Sequence, residues 1–139
     1  MPPVKVFLSH SDRDRKFVTG LAKVLQRHGV QVWYSRTSIK AARQWYEEIG
    51  AALNKCNWFL VVLTPDALKS DWVSDEVVYA TVTRRYKGRI IPLVYKPSKY
   101  KKKFWTLANI EAVDFTTKGA KRYRDLLSLW KIEYQPRRK

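Results

Sequence analysis

The sequence has one cysteine, two histidines and 12 acidic residues against 28 basic ones. Each shortage removes a class of function. A lone Cys56 closes no internal disulfide, and His10 and His28 are not spaced as metal ligands, so no zinc site can be assembled. No Walker loop and no GxGxxG is present. The longest apolar runs, Trp58–Leu63 and Ile90–Tyr95, are strand-length, well short of the roughly 20 residues of a membrane span. Met1-Pro2-Pro3-Val4-Lys5 enters a strand pattern at once, without the basic, apolar and small-residue order of a secretory signal. A reducing, cytoplasmic setting is the expectation.

The material for a core is there. The chain has 139 residues, 45% of them hydrophobic and 14% aromatic, enough for one folded domain. That domain is expected over residues 1–134, with 135–139 as a basic tail that frays. The net charge of +16 is uneven, with +6 in residues 1–69 and +10 in residues 70–139. Arg84 to Lys103 holds nine basic residues and no acidic one. Such a balance serves as a solubilising surface or draws an anionic partner: nucleic acid, a membrane surface or a phosphorylated small molecule.

Strand and helix signals alternate along the chain. Val4–Ser9 reads as a first strand. Ser11 opens a helix, with Asp14 three residues on in the manner of a capping box, and His28-Gly29 closes it. Val30–Tyr34 is a second strand, and Ser35–Arg43 reads as a basic loop. Trp45, Ile49, Ala52, Leu53 and Cys56 give a helical stripe with Glu47 and Glu48 outside. Trp58–Leu63 is a continuous apolar run, expected in the middle of a sheet. A helix is predicted over about 70–85, then a strand over 89–95 whose Pro92 implies a bulge or a place near the edge. The connection from Lys96 to Ile110 should be packed down by Phe104, Trp105 and Leu107. A weak strand over 112–115 and a helix over 119–134 complete the pattern.

This alternation predicts an α/β, flavodoxin-like fold in three layers: five parallel strands in the order 2-1-3-4-5, flanked by helices. Ligands bind such sheets beyond the carboxyl ends of the strands, where the order reverses. That places Ser9-His10-Ser11 and Thr64-Pro65 at a cleft. A flavin site lacks its phosphate loop, and a phosphoacceptor receiver would need an aspartate where this chain has Leu63-Thr64-Pro65. Trp72 and Glu76, four apart on a helix, remain. An indole beside a carboxylate suits a cationic ring and an adjoining ribose, the carboxylate stabilising charge as a glycosidic bond breaks. The same pair also fits a packed indole and a solvated carboxylate.

Four segments in register resemble a Toll/interleukin receptor (TIR) domain over about residues 4–134: Val6-Phe7-Leu8-Ser9-His10-Ser11, Gly29–Tyr34, Phe59–Pro65 and Ser70–Glu76. The resemblance implies the fold already reached and two functional classes, NAD+-cleaving enzymes and non-catalytic adaptors that bind other TIR domains. In the enzymatic class it implies Glu76 as the catalytic carboxylate, Trp72 as a stacking residue, and Phe7, Ser9, His10 and Trp33 around the nicotinamide and its ribose. NAD+ would be the substrate, with no metal or further cofactor, and ADP-ribose or its cyclic form the product. The loop bearing Ser35, Arg36, Ile39 and Lys40 would reach a neighbouring copy in a homo-oligomer, in signalling or immune defence. This loop departs from the family pattern, having Ser35-Arg36 where an acidic residue is common and Ala41-Ala42 where a glycine is common. Weaker readings are a nucleoside deoxyribosyltransferase and a nucleic-acid binder using Lys101, Lys102 and Lys103 beside Tyr100, Phe104 and Trp105, the latter lacking any base-reading motif.

Overall fold

Alternation along the two central strands sorts the core into two layers. In β1 (Lys5–Ser9), Val6 and Leu8 point to one side of the sheet and Phe7 to the other. In β3 (Trp58–Leu63), Leu60 and Val62 join the first layer, while Phe59, Val61 and Leu63 join the second. A strand buried on both faces has no polar side to show, hence the uninterrupted run. The computed structural model describes residues 3–34 and 42–137, and the parallel sheet has the order β2-β1-β3-β4-β5. β2 is Gln31–Tyr34, β4 is Ile90–Val94 and β5 is Val113–Asp114. The expected flavodoxin-like order is therefore the observed one.

One layer is closed by α1 (Arg15–Arg27) and α6 (Ala120–Ser128) over Val6, Leu8, Leu60 and Val62. The other is closed by α2 (Ala42–Lys55), α3 (Pro65–Leu68), α4 (Asp71–Val82) and α5 (Tyr100–Lys103). Gly29, with φ of 84°, turns the chain out of α1 into β2 in the left-handed conformation that glycine adopts without penalty. Among the described residues, no helix is long and apolar enough to cross a membrane.

Several boundaries differ from expectation for identifiable reasons. Ala42 and Arg43, read as loop, are the first residues of α2. The helix expected over 70–85 ends at Val82, and Arg84–Tyr86 form a separate 3-10 turn. Pro92 produces no bulge, since it pairs in continuous register with Val61. It sits one residue before the short ladder with β5, which begins at Leu93, so its missing N–H falls near the sheet edge. The last helix stops at Ser128 rather than Tyr134. Lys131 adopts a φ of 57°, and the chain turns back to stack Tyr134 on His28 at 5.4 Å. Gln135 is tied down through its backbone N–H, donated to His28 Nε2 at 2.9 Å.

Trp105 does not pack the long connection down. Phe104 and Leu107 are buried, but Trp105 is 77% exposed. The basic run is also divided. Arg84–Arg89 lies at the amino end of β4 and Lys96–Lys103 at its carboxyl end, roughly 16 Å apart at the usual rise per strand residue. Only the second group stands at the ligand-binding end of the sheet. Tyr100 and Phe104 are buried, which removes two of the three aromatic residues that a nucleic-acid surface there would use.

Candidate active site

At the carboxyl end of β1 the strand pleat turns Ser9 to the same side as Phe7. Ser70 starts α4 nearby, its hydroxyl accepting from the Val73 backbone N–H at 3.2 Å. The cap sets the phase of the helix, and Val73, Glu76, Val77 and Ala80 then face the sheet. Three of those four are apolar. Glu76 is the exception, and it has no accessible surface. The alternative of a solvated helix carboxylate is thereby removed. Ser9 Oγ donates to Glu76 Oε1 at 2.6 Å, and Ser9 is equally inaccessible. Burying a carboxylate is costly without hydrogen bonds, so this donor is part of what makes the position tenable.

Aromatic rings gather on the same layer. Phe7 stacks on Trp33 at 4.9 Å and on Phe59 at 5.7 Å. Trp72, one turn before Glu76, is partly buried against the same cluster as Trp33. Ser9, Glu76, Phe7, Trp33 and Trp72 thus share one side of the sheet. Ser35, Arg36, Ile39 and Lys40 lie outside the described residues.

His10 stands apart from this group. It meets Tyr34 edge to face at 5.8 Å, and Tyr34 packs on the layer closed by α1. Its Nδ1 lies 3.4 Å from the Leu8 carbonyl, and Nε2 is buried without a hydrogen-bond partner among the described residues. Burial, then the Arg15 cation, lower its pKa from 6.5 to about 4, against the raising effects of the Leu8 carbonyl and Asp12, so the ring is neutral at neutral pH.

A second buried polar pair lies just beyond the end of β3. Thr64 Oγ1 donates to Asp14 Oδ2 at 2.5 Å and accepts from the Ala67 backbone N–H at 3.0 Å, so one hydroxyl holds Asp14 and caps α3. The predicted capping box does not form. Ser11 Oγ accepts from the Arg13 backbone N–H at 3.3 Å, and the turn it caps is a 3-10 turn, Asp12–Asp14. Asp14 turns inward instead, and burial raises its pKa despite the Thr64 bond. The signal for half of this was in Thr64-Pro65-Asp66, a helix cap followed by proline at the first position.

A sizeable cavity lies away from this chemistry. A hollow of about 560 Å³ opens between β2 and the end of α2, lined by Lys5, Gln31, Trp33, Lys55 and Cys56 among others. Only Trp33 is shared with the group above. Chemistry decides the assignment here: a buried carboxylate with a dedicated donor outweighs volume. Cys56 is buried and its thiol is pushed up to about 11, chiefly by desolvation, which leaves it unreactive. Among the described residues, no three His, Cys, Asp or Glu side chains gather as a metal cluster.

At 34% identity over 101 residues, 70% of this chain is similar to the 2' cyclic ADP-D-ribose synthase AbTIR of Acinetobacter baumannii, covering 37% of that protein. At 30% over 100 residues, also 70% of the chain, it is similar to the NAD(+) hydrolase PdTIR of Paracoccus denitrificans, covering 33% of it. The chain therefore spans about a third of the length of these curated relatives. Among solved structures, the TIR domain of the Toll-related receptor TRR-2 of Hydra magnipapillata superposes with a TM-score of 0.71 at 21% identity, over 88% of this chain and 94% of that one. The TIR domains of the activated Roq1 resistosome give 0.65 at 17%, over 91% and 99%. The TIR domain family profile matches residues 6–127, so the chain belongs to the TIR domain family.

Proposed function

We propose that this domain cleaves NAD+ between nicotinamide and ribose, giving nicotinamide and either ADP-ribose or a cyclic ADP-ribose. The observation that carries the reading is Glu76, a carboxylate fully buried on the inner face of α4 and held by the Ser9 hydroxyl at 2.6 Å. Relatives named as an NAD(+) hydrolase and as a 2' cyclic ADP-D-ribose synthase support both products.

Nicotinamide in NAD+ is a cationic pyridinium. When the bond from ribose C1 to the ring nitrogen breaks, the electron pair goes to that nitrogen and nicotinamide leaves neutral, with no acid needed to protonate it. Positive charge passes to the ribose, where Glu76 would oppose it and hold the ribose hydroxyls. Water, or a hydroxyl or ring nitrogen of the adenosine half, then bonds to C1; a water or hydroxyl nucleophile loses its proton. Trp72, Phe7 and Trp33 would supply aromatic faces for the pyridinium or the adenine. Because Glu76 has no exposed surface, substrate reaches it only when the side chains around it move.

The domain would work in the cytoplasm, in signalling or immune defence, and self-associate with other TIR domains, Ser35, Arg36, Ile39 and Lys40 forming an assembly loop. The likeness of fold to TIR domains of an activated resistosome supports assembly. Incubation with NAD+ at several protein concentrations, with products resolved by mass, tests the activity. Glu76→Gln, nearly isosteric, should reduce nicotinamide release about 100-fold or more. Full release by that variant would overturn the assignment, and no release at any concentration by the parent would favour a non-catalytic adaptor.

A further inference from the structure

The outer side of α4 is not the polar stripe expected of a helix facing water. Asp71, Asp75, Val78 and Val82 follow one another at spacings of four, three and four, which puts them on one face. Val78 is 60% exposed and Val82 77%. Beside them, between α2 and α4, runs a groove of about 330 Å³ bounded by Ile49, Gly50, Leu53, Asp75, Val78 and Val82. Gly50 keeps it open. A glycine inside a helix is unfavourable, and a Cβ placed there would meet nothing within 4 Å, so packing within the chain does not require it.

The second anomaly is Trp105, 77% exposed between the buried Phe104 and Leu107. Two anchored neighbours fix a large apolar ring in water. Lys101, Lys102 and Lys103 stand exposed just before it. Trp105 lies on the connection between β4 and β5 and is not among the residues that line the groove.

We propose that Trp105 of one copy seats in the α2–α4 groove of a second copy, with Lys101–Lys103 facing Asp71 and Asp75 of that copy. The groove is large enough for an indole, and the charges are opposite across the contact. For a chain of net +16, a contact between copies is favoured where the sign is locally reversed, and Asp71 and Asp75 on the outer face of α4 supply that reversal. Tryptophan in a pocket ringed by near-neutral contacts is the usual anchor of an interface. The proposed contact is head-to-tail: each copy that gives its Trp105 to a neighbour keeps its own groove free for a third, so it propagates. It rests on the self-association proposed above and is independent of NAD+ cleavage.

The test is sedimentation velocity on the chain at physiological ionic strength over a range of concentrations, with nicotinamide release assayed separately. The parent protein should form species beyond two copies. Trp105→Ala, Val82→Lys and Gly50→Leu should each raise the concentration for half-assembly by about 30-fold or more. Gly50→Leu is informative because it fills the groove while removing a helix-weakening residue, so its loss of assembly cannot be ascribed to unfolding. Mixing Trp105→Ala, which keeps the groove, with Val82→Lys, which keeps the knob, should restore pairs and nothing larger. A parent that stays monomeric throughout would overturn self-association itself. A parent that assembles while Trp105→Ala assembles equally well, or a mixture that forms no pairs, would overturn this contact alone.

Discussion

The hydroxyl of Ser9 and the carboxylate of Glu76 meet at 2.6 Å although 67 residues separate them. The bond joins the end of β1 to the middle of α4, and neither residue has accessible surface. It fixes the direction of a buried carboxylate. A rigidly aimed carboxylate stabilises developing positive charge better than a mobile one, because no reorganisation is needed as the charge appears.

Removing the donor should therefore cost turnover more than affinity. A lost hydrogen bond to a charged group is worth about 1.5–3 kcal/mol, so Ser9→Ala should lower kcat for nicotinamide release by about 10- to 100-fold with a smaller change in KM. Ser9→Thr, which keeps the hydroxyl, should recover much of the loss. Steady-state kinetics on the three proteins decide the matter, and equal kcat for Ser9→Ala and the parent would show that the bond is only structural.

Period-two and period-four signals made most of the fold and part of the site legible in the sequence. The run from Trp58 to Leu63 could be placed in the sheet centre because burial on both faces leaves no polar alternation. The pair Trp72 and Glu76 could be placed on one helix because four residues make about one turn. What local pattern could not supply was the destination of polar side chains. Asp14 sits three residues after Ser11, as a capping box requires, yet its carboxylate is taken by Thr64 from 50 positions away. Trp105 lies between two core residues in sequence, but the 3-10 turn at Trp105–Leu107 sends it outward. His10 follows Ser9 directly in sequence, yet its ring meets Tyr34, which packs on the opposite layer.

The Asp14–Thr64 pair yields a stability prediction with a pH signature. Thr64→Val keeps the shape but removes both the cap on Ala67 and the donor to Asp14, so it should destabilise by about 2–4 kcal/mol at neutral pH. Burial already holds the Asp14 pKa above its ordinary value, and the Thr64 bond opposes that shift. Without the bond the folded pKa rises further, so the folded chain holds its proton where the unfolded chain has lost it. Stability from such a group is present at low pH and lost as pH rises through the folded value. The deficit of Thr64→Val should thus shrink as pH falls toward about 4. Urea midpoints across pH measure it, and Thr64→Ser should show little deficit at any pH.

His10 carries the opposite sign. Its pKa falls from 6.5 to about 4 on folding, because burial disfavours the imidazolium and the Arg15 cation adds to that, while the Leu8 carbonyl and Asp12 oppose it. Between those values the unfolded chain binds a proton that the folded chain refuses. The stability this group contributes is complete above pH 6.5 and is lost as pH falls to about 4, an effect of about 3 kcal/mol. His10→Gln can still donate to the Leu8 carbonyl and does not titrate. The stability of the parent relative to this variant should therefore drop by about 3 kcal/mol between pH 7 and about pH 4. Parallel pH profiles for the two proteins in chemical denaturation would show that His10 titrates alike in both states, and that the closed contact with Tyr34 opens readily to solvent.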